Sequence, residues 1–316
     1  MTPFLSFAPL HGVTNRVFRA AYFAHFSGFD EAFAPFILAV PTARMKGSHF
    51  KDLVPDPRTG LPLVPQLLGA EPEGFLDCSR AIAGMGYGEV NWNLGCPYPM
   101  VAKKGRGSGL LPHPDRIDRF LDAVCPRLPL DLSVKLRLGR ADPAEIIALM
   151  PVLNRYPLKR VIIHPRLGIQ MYKGSVDLEG FSRAASVSDH PVGYNGDIAD
   201  LTAFGELSAR FPDVSEWMLG RGALWDPFLP ARIKGLPLPD DPTETLRAFH
   251  DELFAAYREV LCGPAHALDK MKEVWSYLGH SFPRGSRELD GIARAKSIDE
   301  YSRAAQALFG RKSTIL

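Results

Sequence analysis

The chain has 316 residues, which is enough for about two ordinary domains or for one large α/β barrel with an appendage. Its hydrophobic share of 46% and charged share of 23% exclude intrinsic disorder, collagen-like repeats and coiled coils. Lys and Arg number 37 against 35 Asp and Glu, so the net charge is +2 and a polyanionic partner would need a local basic patch.

The cysteines and the apolar segments argue against a metal site, a secreted protein and a membrane protein. The four cysteines are Cys78, Cys96, Cys125 and Cys262. They include no C-x-x-C pair, so we expect no metal, no disulfide framework and a reducing cytoplasm as the compartment. The N-terminus lacks the basic start of a signal peptide, and the most apolar stretch, 33–40, is far shorter than the ~20 residues of a membrane span.

Eight short apolar runs recur along the first three quarters of the chain and predict β-strands. They are residues 4–8, 32–37, 63–67, 89–93, 132–136, 160–164, 191–194 and 216–219. Stretches with helical periodicity lie between them, among them 75–85, 114–124, 143–153 and 200–210. Eightfold alternation of strand and helix predicts parallel pairing, so residues 1–237 are expected to form a (β/α)8 TIM barrel.

A proline-rich segment at 235–242 interrupts this pattern as a linker would. Beyond it, residues 243–261, 265–280 and 297–309 have apolar residues at helical spacing and no convincing strand. The sequence therefore predicts a domain boundary near residue 238, with a small helical domain over 238–316.

Polar side chains follow the predicted strands, where a barrel of this kind builds its active face. In chain order they are Ala8-Pro9-Leu10, Gln66, Asn93 with Cys96, Lys135 with Arg137, His164 with Arg166, Asn195-Gly196-Asp197 and Gly220-Arg221-Gly222. Because the carboxyl ends of all eight strands meet at one mouth, we expect these residues to converge there.

Glycine-rich turns follow strands seven and eight, at Gly196 and at Gly220 with Gly222. Small residues there let backbone N–H groups approach a phosphate, and Arg221 would add a bidentate partner. A single turn of this kind is more often a plain helix start, but two at adjacent strand ends favour an anion site.

Lys135 lies in an alternating stretch, 132–138, that would point its ammonium group into an otherwise apolar barrel. A buried ammonium needs an anionic partner. If the ligand is a flavin, that partner is the pyrimidine edge of the isoalloxazine ring. The alternative is a surface lysine on a misassigned strand.

Cys96 and His164 are the candidates for chemistry. Cys96 sits between Gly95 and Pro97 in a loop, which suggests exposure, and a free thiol with a pKa of ~8.5 can act as a general acid at neutral pH. The alternative is an inert buried cysteine. A lone histidine is more often structural, but the position of His164 beside Arg166 favours contact with a cofactor phosphate or ring oxygen.

Taken together and in this order, the motifs resemble those of the flavin-dependent RNA dihydrouridine synthases over nearly the whole chain. The matching pieces are Ala8-Pro9, Gly12-Val13-Thr14, Phe18-Arg19, Gln66, Asn93-Leu94-Gly95-Cys96-Pro97, Lys104-Gly105-Arg106-Gly107-Ser108, Val134-Lys135-Leu136-Arg137, His164, Tyr172, Asn195-Gly196-Asp197 and Gly220-Arg221-Gly222. No single piece would suffice without the others.

The resemblance implies an FMN-binding barrel, a helical domain that helps to grip RNA, and NADPH as the electron donor. The substrate would be a uridine in RNA, usually tRNA, and we expect a monomer. The residues implied to line the FMN are Ala8, Pro9, Leu10, Gln66, Lys135, His164, Asn195, Asp197, Gly220 and Arg221. Cys96 would be the catalytic acid, and Asn93, Arg137 and Tyr172 would hold the uracil.

Two groups of basic residues are candidates for RNA phosphates. Lys103, Lys104 and Arg106 follow Cys96. Residues 284–312 contain seven basic and four acidic side chains, and Arg284, Arg287 and Arg294 are the predicted RNA contacts among them. An excess this small is equally compatible with an ordinary solvated face.

The chain departs from the family pattern at four positions. Leu10 and Asn15 stand where Met and Asp are commoner, Pro165 replaces a Gly, and Tyr194 replaces a small residue. Pro165 lacks an N–H, which puts in doubt a backbone contact from that position to the flavin phosphate.

Three other functions share parts of this evidence. The same hydride chemistry could act on a free pyrimidine or enone, or on ribosomal instead of transfer RNA, and an RNA chaperone would need no chemistry at all. The helical tail argues against a small-molecule enzyme, and the presence of Cys96, Lys135 and His164 together argues against a chaperone. No residue in the sequence identifies the uridine that is modified.

Overall fold

The computed structural model describes residues 2–55, 60–283 and 285–310. Its strands are β1 Phe4–Phe7, β2 Glu31–Phe33, β3 Ile37–Leu38, β4 Leu63–Val64, β5 Gln66–Leu68, β6 Glu89–Leu94, β7 Asp131–Gly139, β8 Leu158–Leu167, β9 Val192–Tyr194 and β10 Glu216–Leu219. Its α-helices are α1 Arg16–His25, α2 Pro72–Gly84, α3 Pro99–Ala102, α4 Pro114–Val124, α5 Ala144–Leu153, α6 Leu178–Ser186, α7 Leu201–Arg210, α8 Arg221–Trp225, α9 Leu229–Ile233, α10 Pro242–Val260, α11 Pro264–Leu278, α12 Arg287–Arg294 and α13 Ile298–Phe309. Short 3-10 helices cover Thr42–Arg44, Gly47–Leu53, Gly107–Leu110, Cys125–Arg127 and Gly279–Ser281.

All the strand pairs are parallel, and together they close into a barrel. The pairing order runs β3-β5-β6-β7-β8-β9-β10-β1-β2-β4. Strands β2 and β3 are successive parts of one chain segment, and β4 and β5 are successive parts of the next. Because β2 pairs with β4 and β3 pairs with β5, these two segments lie side by side and join the two ends of the order. The predicted parallel (β/α)8 architecture is therefore confirmed.

Two prolines explain why ten strand segments make up only eight barrel strands, which are called staves below. Pro35 separates β2 from β3, and Pro65 separates β4 from β5. A proline has no N–H to donate to a sheet, so each of these staves is interrupted at its proline.

Strand β8 is longer than predicted, so Arg166, expected just beyond the strand, lies within it.

Side-chain caps begin several helices where the sequence suggests a start. Asp200 accepts from Ala203 N at the start of α7, and Ser297 caps α13 through Glu300 N. Asp241 caps α10 in the same way, at the end of the proline-rich segment. Helix α12 was not predicted, because Ile292 is the one apolar side chain that it buries.

Alternate residues of the staves point into the barrel and form layers. The layer at the strand N-termini is charged: Arg160 binds Glu31 at 2.7 Å, Glu89 at 2.9 Å and Glu216 at 3.1 Å. Burial raises the pKa of Glu216. The next layer is an apolar cluster of Ala8, Phe33, Val64, Ile162 and Met218. This apolar layer, called the apolar plug below, separates the charged layer from the polar residues at the carboxyl ends of the strands.

The helical C-terminal region packs directly against the barrel. Phe249 of α10 lies edge-on to Phe18 and Tyr22 of α1 and to Phe26 directly after that helix. Trp225, at the end of α8, stacks on His280 at 5.0 Å. This region therefore borders the mouth of the barrel. No helix in the described ranges is both long and apolar enough to cross a membrane.

Candidate active site

A cavity of about 250 Å³ opens at the carboxyl ends of the strands. It is lined by all fourteen residues that the sequence placed at the catalytic, cofactor and uracil positions, namely Ala8, Pro9, Leu10, Gln66, Asn93, Cys96, Lys135, Arg137, His164, Tyr172, Asn195, Asp197, Gly220 and Arg221. The structure thus brings them together, while their individual roles stay predictions.

The register of the sheet explains this convergence. Asn93 of β6 pairs with Lys135 of β7, and Arg137 pairs with His164 of β8. Residues two apart on a strand share a face, so Lys135 and Arg137 project to the same side. Neighbouring inward positions on three consecutive strands therefore deliver their polar groups to one place.

Asn93 orients the loop that carries Cys96. Its side-chain oxygen accepts from Gly95 N at 3.0 Å and from Cys96 N at 2.8 Å. Its amide nitrogen donates to Gln66 Oε1 at 2.7 Å, and Gln66 donates onward to Asn91 Oδ1 at 2.8 Å. Because both ends of the Asn93 amide are engaged, its rotamer and the position of the loop are fixed.

Cys96 is buried, with 6% of its surface exposed, so the expectation of an exposed cysteine was wrong. The physical reason is the return of the chain at Gly107, which has a φ of +53°. A Cβ on that glycine would lie 2.7 Å from Cys96 O and 2.9 Å from Cys96 Cβ, so the backbone covers the cysteine. Burial also raises the pKa of the thiol, which keeps it protonated at neutral pH.

Arg137 joins the cysteine loop to the loop after β8. Its Nε donates to Gly95 O at 3.0 Å, and its Nη1 donates to Leu167 O at 2.9 Å. The guanidinium also lies 5.4 Å from the ring centre of Tyr172, which is cation–π distance. Burial lowers the pKa of Arg137 to about 10, so it remains charged at neutral pH.

Lys135 lines the cavity without a compensating charge. Within the described ranges no carboxylate lies at ion-pair distance from its ammonium group. Burial, followed by repulsion from Arg137, lowers the pKa of Lys135 to about 7. An anionic ligand in the cavity would supply the missing partner and restore the charged form.

His164 is neutral and has a defined tautomer. Burial, helped by nearby cations, holds its pKa well below the ordinary value. Arg166 Nη1 lies 3.1 Å from His164 Nε2, and because arginine can only donate, that ring nitrogen accepts and the proton sits on Nδ1. His164 therefore offers a donor, not a charge.

Arg166 and Arg221 share the carboxylate of Asp197. Asp197 Oδ1 is 2.9 Å from Arg166 Nη1 and 3.2 Å from Arg221 Nη2, and Oδ2 binds Arg166 Nη2 closely. The backbone of Asp197 has a φ of +45°, a left-handed conformation that asparagine and aspartate tolerate better than most residues. The turn after β9 is thus held in place by ion pairs to Arg166 of β8 and Arg221 of α8.

The charge balance of the cavity favours an anion. Among the described residues, its lining contains Lys135, Arg137, Arg166 and Arg221 against the single carboxylate of Asp197. The unpaired ammonium of Lys135 is the observation that tests the fit of a flavin, whose phosphate and pyrimidine edge both carry negative charge. These residues fit such a group.

The four departures from the family pattern have local structural roles, one in helix capping and three in packing. Asn15 caps α1 by accepting from Phe18 N at 3.0 Å. A Cβ on Gly196 would lie 3.3 Å from Pro165 Cδ and 3.4 Å from Tyr194 Oη, so both replaced residues crowd the same turn. Leu10 packs against the apolar plug of the barrel.

The predicted RNA contacts lie outside the cavity. Lys103 and Lys104 are exposed and Arg106 is half-buried on the chain that follows Cys96. Arg287 and Arg294 are exposed on α12 and border a groove shared with α13. Arg284 lies outside the described residues.

Aromatic residues around the mouth were missed from the sequence. His11 stacks on Phe36 with ring centres 4.7 Å apart, and both line the cavity together with Tyr98 and Trp225. Each comes soon after a strand end or at a short helix, and this position was the available signal.

Within the described ranges no group of three or more His, Cys, Asp or Glu side chains could hold a metal ion.

Comparisons with known proteins give a consistent assignment. The family model described as dihydrouridine synthase matches residues 6–262. The tRNA-dihydrouridine(16) synthase of Cupriavidus necator is 27% identical, with 97% of each chain covered. The tRNA-dihydrouridine synthase B of Vibrio vulnificus is 26% identical over 95% of this chain and 90% of its own.

Among solved structures, a mutant of morphinone reductase in complex with tetrahydroNAD has a similar fold. Its TM-score is 0.51 at 13% sequence identity, covering 77% of this chain and 89% of that one. At this identity the likeness concerns the fold alone.

Proposed function

Because the chain belongs to the dihydrouridine synthase family, we propose that it reduces the C5=C6 bond of a uridine in tRNA to 5,6-dihydrouridine, with FMN as cofactor and NADPH as electron donor. The observation that carries this function is the cavity in which the unpaired Lys135 and the buried thiol of Cys96 share one lining. A protein that only bound RNA would have no use for either group there.

The cavity residues divide between cofactor and substrate. Lys135 would face the pyrimidine edge of the flavin, and Arg221 with the turns at Gly196 and Gly220 would hold its phosphate. His164 would donate from Nδ1 to a flavin oxygen. Bound there, the cofactor would supply the hydride that C6 of uracil accepts.

Cys96 would complete the reduction by giving its proton to C5. The burial that raises its pKa keeps the proton available at neutral pH, and the hydrogen bonds of Asn93 to the loop hold the thiol in place. Solvent would return the proton to the thiolate afterwards. Arg137 and Tyr172, joined by their cation–π contact, would border the uracil.

The names of the relatives support a specific target. Those from Cupriavidus necator and Ralstonia nicotianae cover 97% and 94% of this chain and are both named for position 16 of tRNA. We therefore propose position 16 as the modified uridine. A small-molecule substrate is not favoured, because these relatives act on tRNA by name and extend through the helical region.

Other expectations complete the proposal. The barrel, 1–237, would hold the cofactor and the catalytic groups, and residues 238–316 would form a helical domain that contacts RNA. The protein would act as a cytoplasmic monomer. Basic residues outside the cavity, on both parts, would meet the phosphates of tRNA.

Mapping dihydrouridine in total RNA tests this function. Cells that lack the gene should lose the modification at position 16 of tRNA, and the wild-type gene but not a Cys96→Ala version should restore it. Loss from ribosomal RNA would reassign the substrate. Unchanged dihydrouridine at every position would contradict the function.

Replacing Arg287 and Arg294 together by Ala should weaken tRNA binding and flatten its salt dependence. Removing two phosphate contacts should lower the slope of log affinity against log salt by about 1.5. Fluorescence anisotropy of labelled tRNA over a salt series measures this slope. Arg183→Ala, an exposed arginine on α6, is the matched control, and a slope equal to wild type in the double variant would remove α12 from the RNA contact.

A further inference from the structure

The loop that carries the buried cysteine ends in an exposed apolar tip. Met100 is 81% exposed, more than any other large hydrophobic side chain in the described ranges, and Tyr98 is 43% exposed. Tyr98 lies two residues beyond Cys96 and also lines the cavity. Tyr98 therefore stands where the cavity meets the surface, and Met100 follows it two residues later on the exposed side of the same loop.

This tip is held firmly by the chain around it. Val101 N and Ala102 N both donate to Tyr98 O at 2.9 Å, which fixes helix α3 directly after the tyrosine. A Cβ on Gly109 would lie 2.2 Å from Ala102 O, so the returning chain packs tightly against α3. The backbone that presents the two side chains is therefore already ordered before a ligand binds, which lowers the entropy cost of binding.

The surroundings of the tip are basic. Lys103, Lys104, Arg106 and Arg116 flank it, and the guanidinium of Arg116 lies beside Gly105. In the part of the chain that the structure describes, none of the four forms an ion pair. An apolar platform ringed by uncompensated cations complements a nucleotide, which has a flat base and a phosphate.

The depth of the reactive groups limits which nucleotide can reach the tip. Cys96 and Lys135 lie inside the cavity, so a uracil between them must turn out of its stack. The base next to it in the RNA then has one face uncovered at the rim. Side chains at the rim can replace the lost stacking contact.

We propose that Tyr98 and Met100 form a stacking platform for the nucleotide that adjoins the target uridine. This inference rests on the proposed function and adds a selection step to it. The platform contacts the neighbour of the reacting base, so it contributes to the choice of uridine without touching the atoms that react.

A mutant cycle between protein and RNA tests the platform. The substrates are an intact tRNA assembled from synthetic halves and two abasic versions of it. One version lacks the base on the 5′ side of the target uridine, and the other lacks the base on its 3′ side. Because loss of a base–aromatic stacking contact weakens binding, Tyr98→Ala should lower kcat/KM on intact tRNA about tenfold. On the version that lacks the platform's base, the same substitution should cost less than about twofold, because the contact is already absent.

Matched variants keep the result interpretable. Tyr98→Phe keeps the ring and should retain wild-type kcat/KM, and Met100→Leu should do the same where Met100→Ala loses activity. Val260→Ala removes an apolar side chain that is 60% exposed at the end of α10 and should change nothing. The rate of flavin reduction by NADPH, measured by absorbance, should be equal in all variants.

Two outcomes would overturn the platform. Equal losses of kcat/KM for Tyr98→Ala on intact tRNA and on both versions that lack a base would mean that the tyrosine does not contact a neighbouring base. Full activity of Tyr98→Ala and Met100→Ala on intact tRNA would mean that the tip is not used. Absence of dihydrouridine with the wild-type protein on every substrate would instead remove the proposed function on which the platform rests.

Discussion

Replacing Cys96 by Ala should abolish most dihydrouridine formation while leaving the flavin half-reaction with NADPH intact. A positioned general acid contributes about 10²- to 10⁴-fold to a rate, so we expect a loss of roughly 10³-fold. Alanine removes the proton but leaves the loop in place, because Asn93 binds the backbone of residues 95 and 96 and not the thiol. Single-turnover formation of dihydrouridine in tRNA measures the loss.

The pH dependence gives a second signature of the same thiol. An acid works while it is protonated, and burial raises the pKa of the Cys96 thiol above its ordinary value. The wild-type rate should therefore fall only as the pH rises through this raised pKa. Cys262→Ala, at an exposed cysteine, is the control and should behave as wild type. A fully active Cys96→Ala variant would remove the cysteine from the mechanism.

Replacing Lys135 by Met should weaken FMN binding by about 10- to 100-fold, since a charge-assisted hydrogen bond contributes about 1.5–3 kcal/mol. Dihydrouridine formation should fall at least as far. Methionine is close to lysine in length, so the cavity should keep its shape. Titration of the flavin-free protein with FMN, followed by flavin fluorescence, measures the affinity. Lys104→Met, at an exposed lysine outside the cavity, is the control and should leave it unchanged.

The flavin-free Lys135→Met protein should be more stable than the flavin-free wild type. The pKa of Lys135 is about 7 in the folded chain and 10.5 in the unfolded one. Burying the charge therefore costs stability in full below pH 7, and the cost falls as the pH rises from 7 to 10.5. The gain in unfolding free energy should be on the order of a few kcal/mol at pH 6 and nearly vanish at pH 10.5. A destabilised variant at pH 6 would contradict the placement of the ammonium.

The fold was readable from the sequence because the signals for it are local. Alternation and run length predict each strand, and caps such as Asp200, Asp241 and Ser297 predict helix starts. The breaks at Pro35 and Pro65 were also local, but a pairing partner is needed to show that the stave continues beyond each proline. Helix α12 was missed because it is short, Arg287–Arg294, and Ile292 is the one apolar side chain that it fully buries.

The site was predictable as a set of residues but not as a geometry. Strand ends place Lys135, Arg137 and His164 at one mouth, and that much follows from the topology. The burial of Cys96 depends on Gly107, eleven residues further along the chain, and no periodicity connects the two. The chain of amides from Asn93 through Gln66 to Asn91 joins different strands, so it exists only after the barrel closes.

The proposed reaction requires that electrons held by the flavin in this cavity pass to a uridine of tRNA. The most direct test is to load the protein with FMN, reduce it without oxygen, remove the reductant and add tRNA that carries no dihydrouridine. We expect the flavin to be reoxidised and one dihydrouridine to form for each flavin. A flavin that stays reduced in the presence of this tRNA, or dihydrouridine formed without reoxidation, would contradict the proposed reaction.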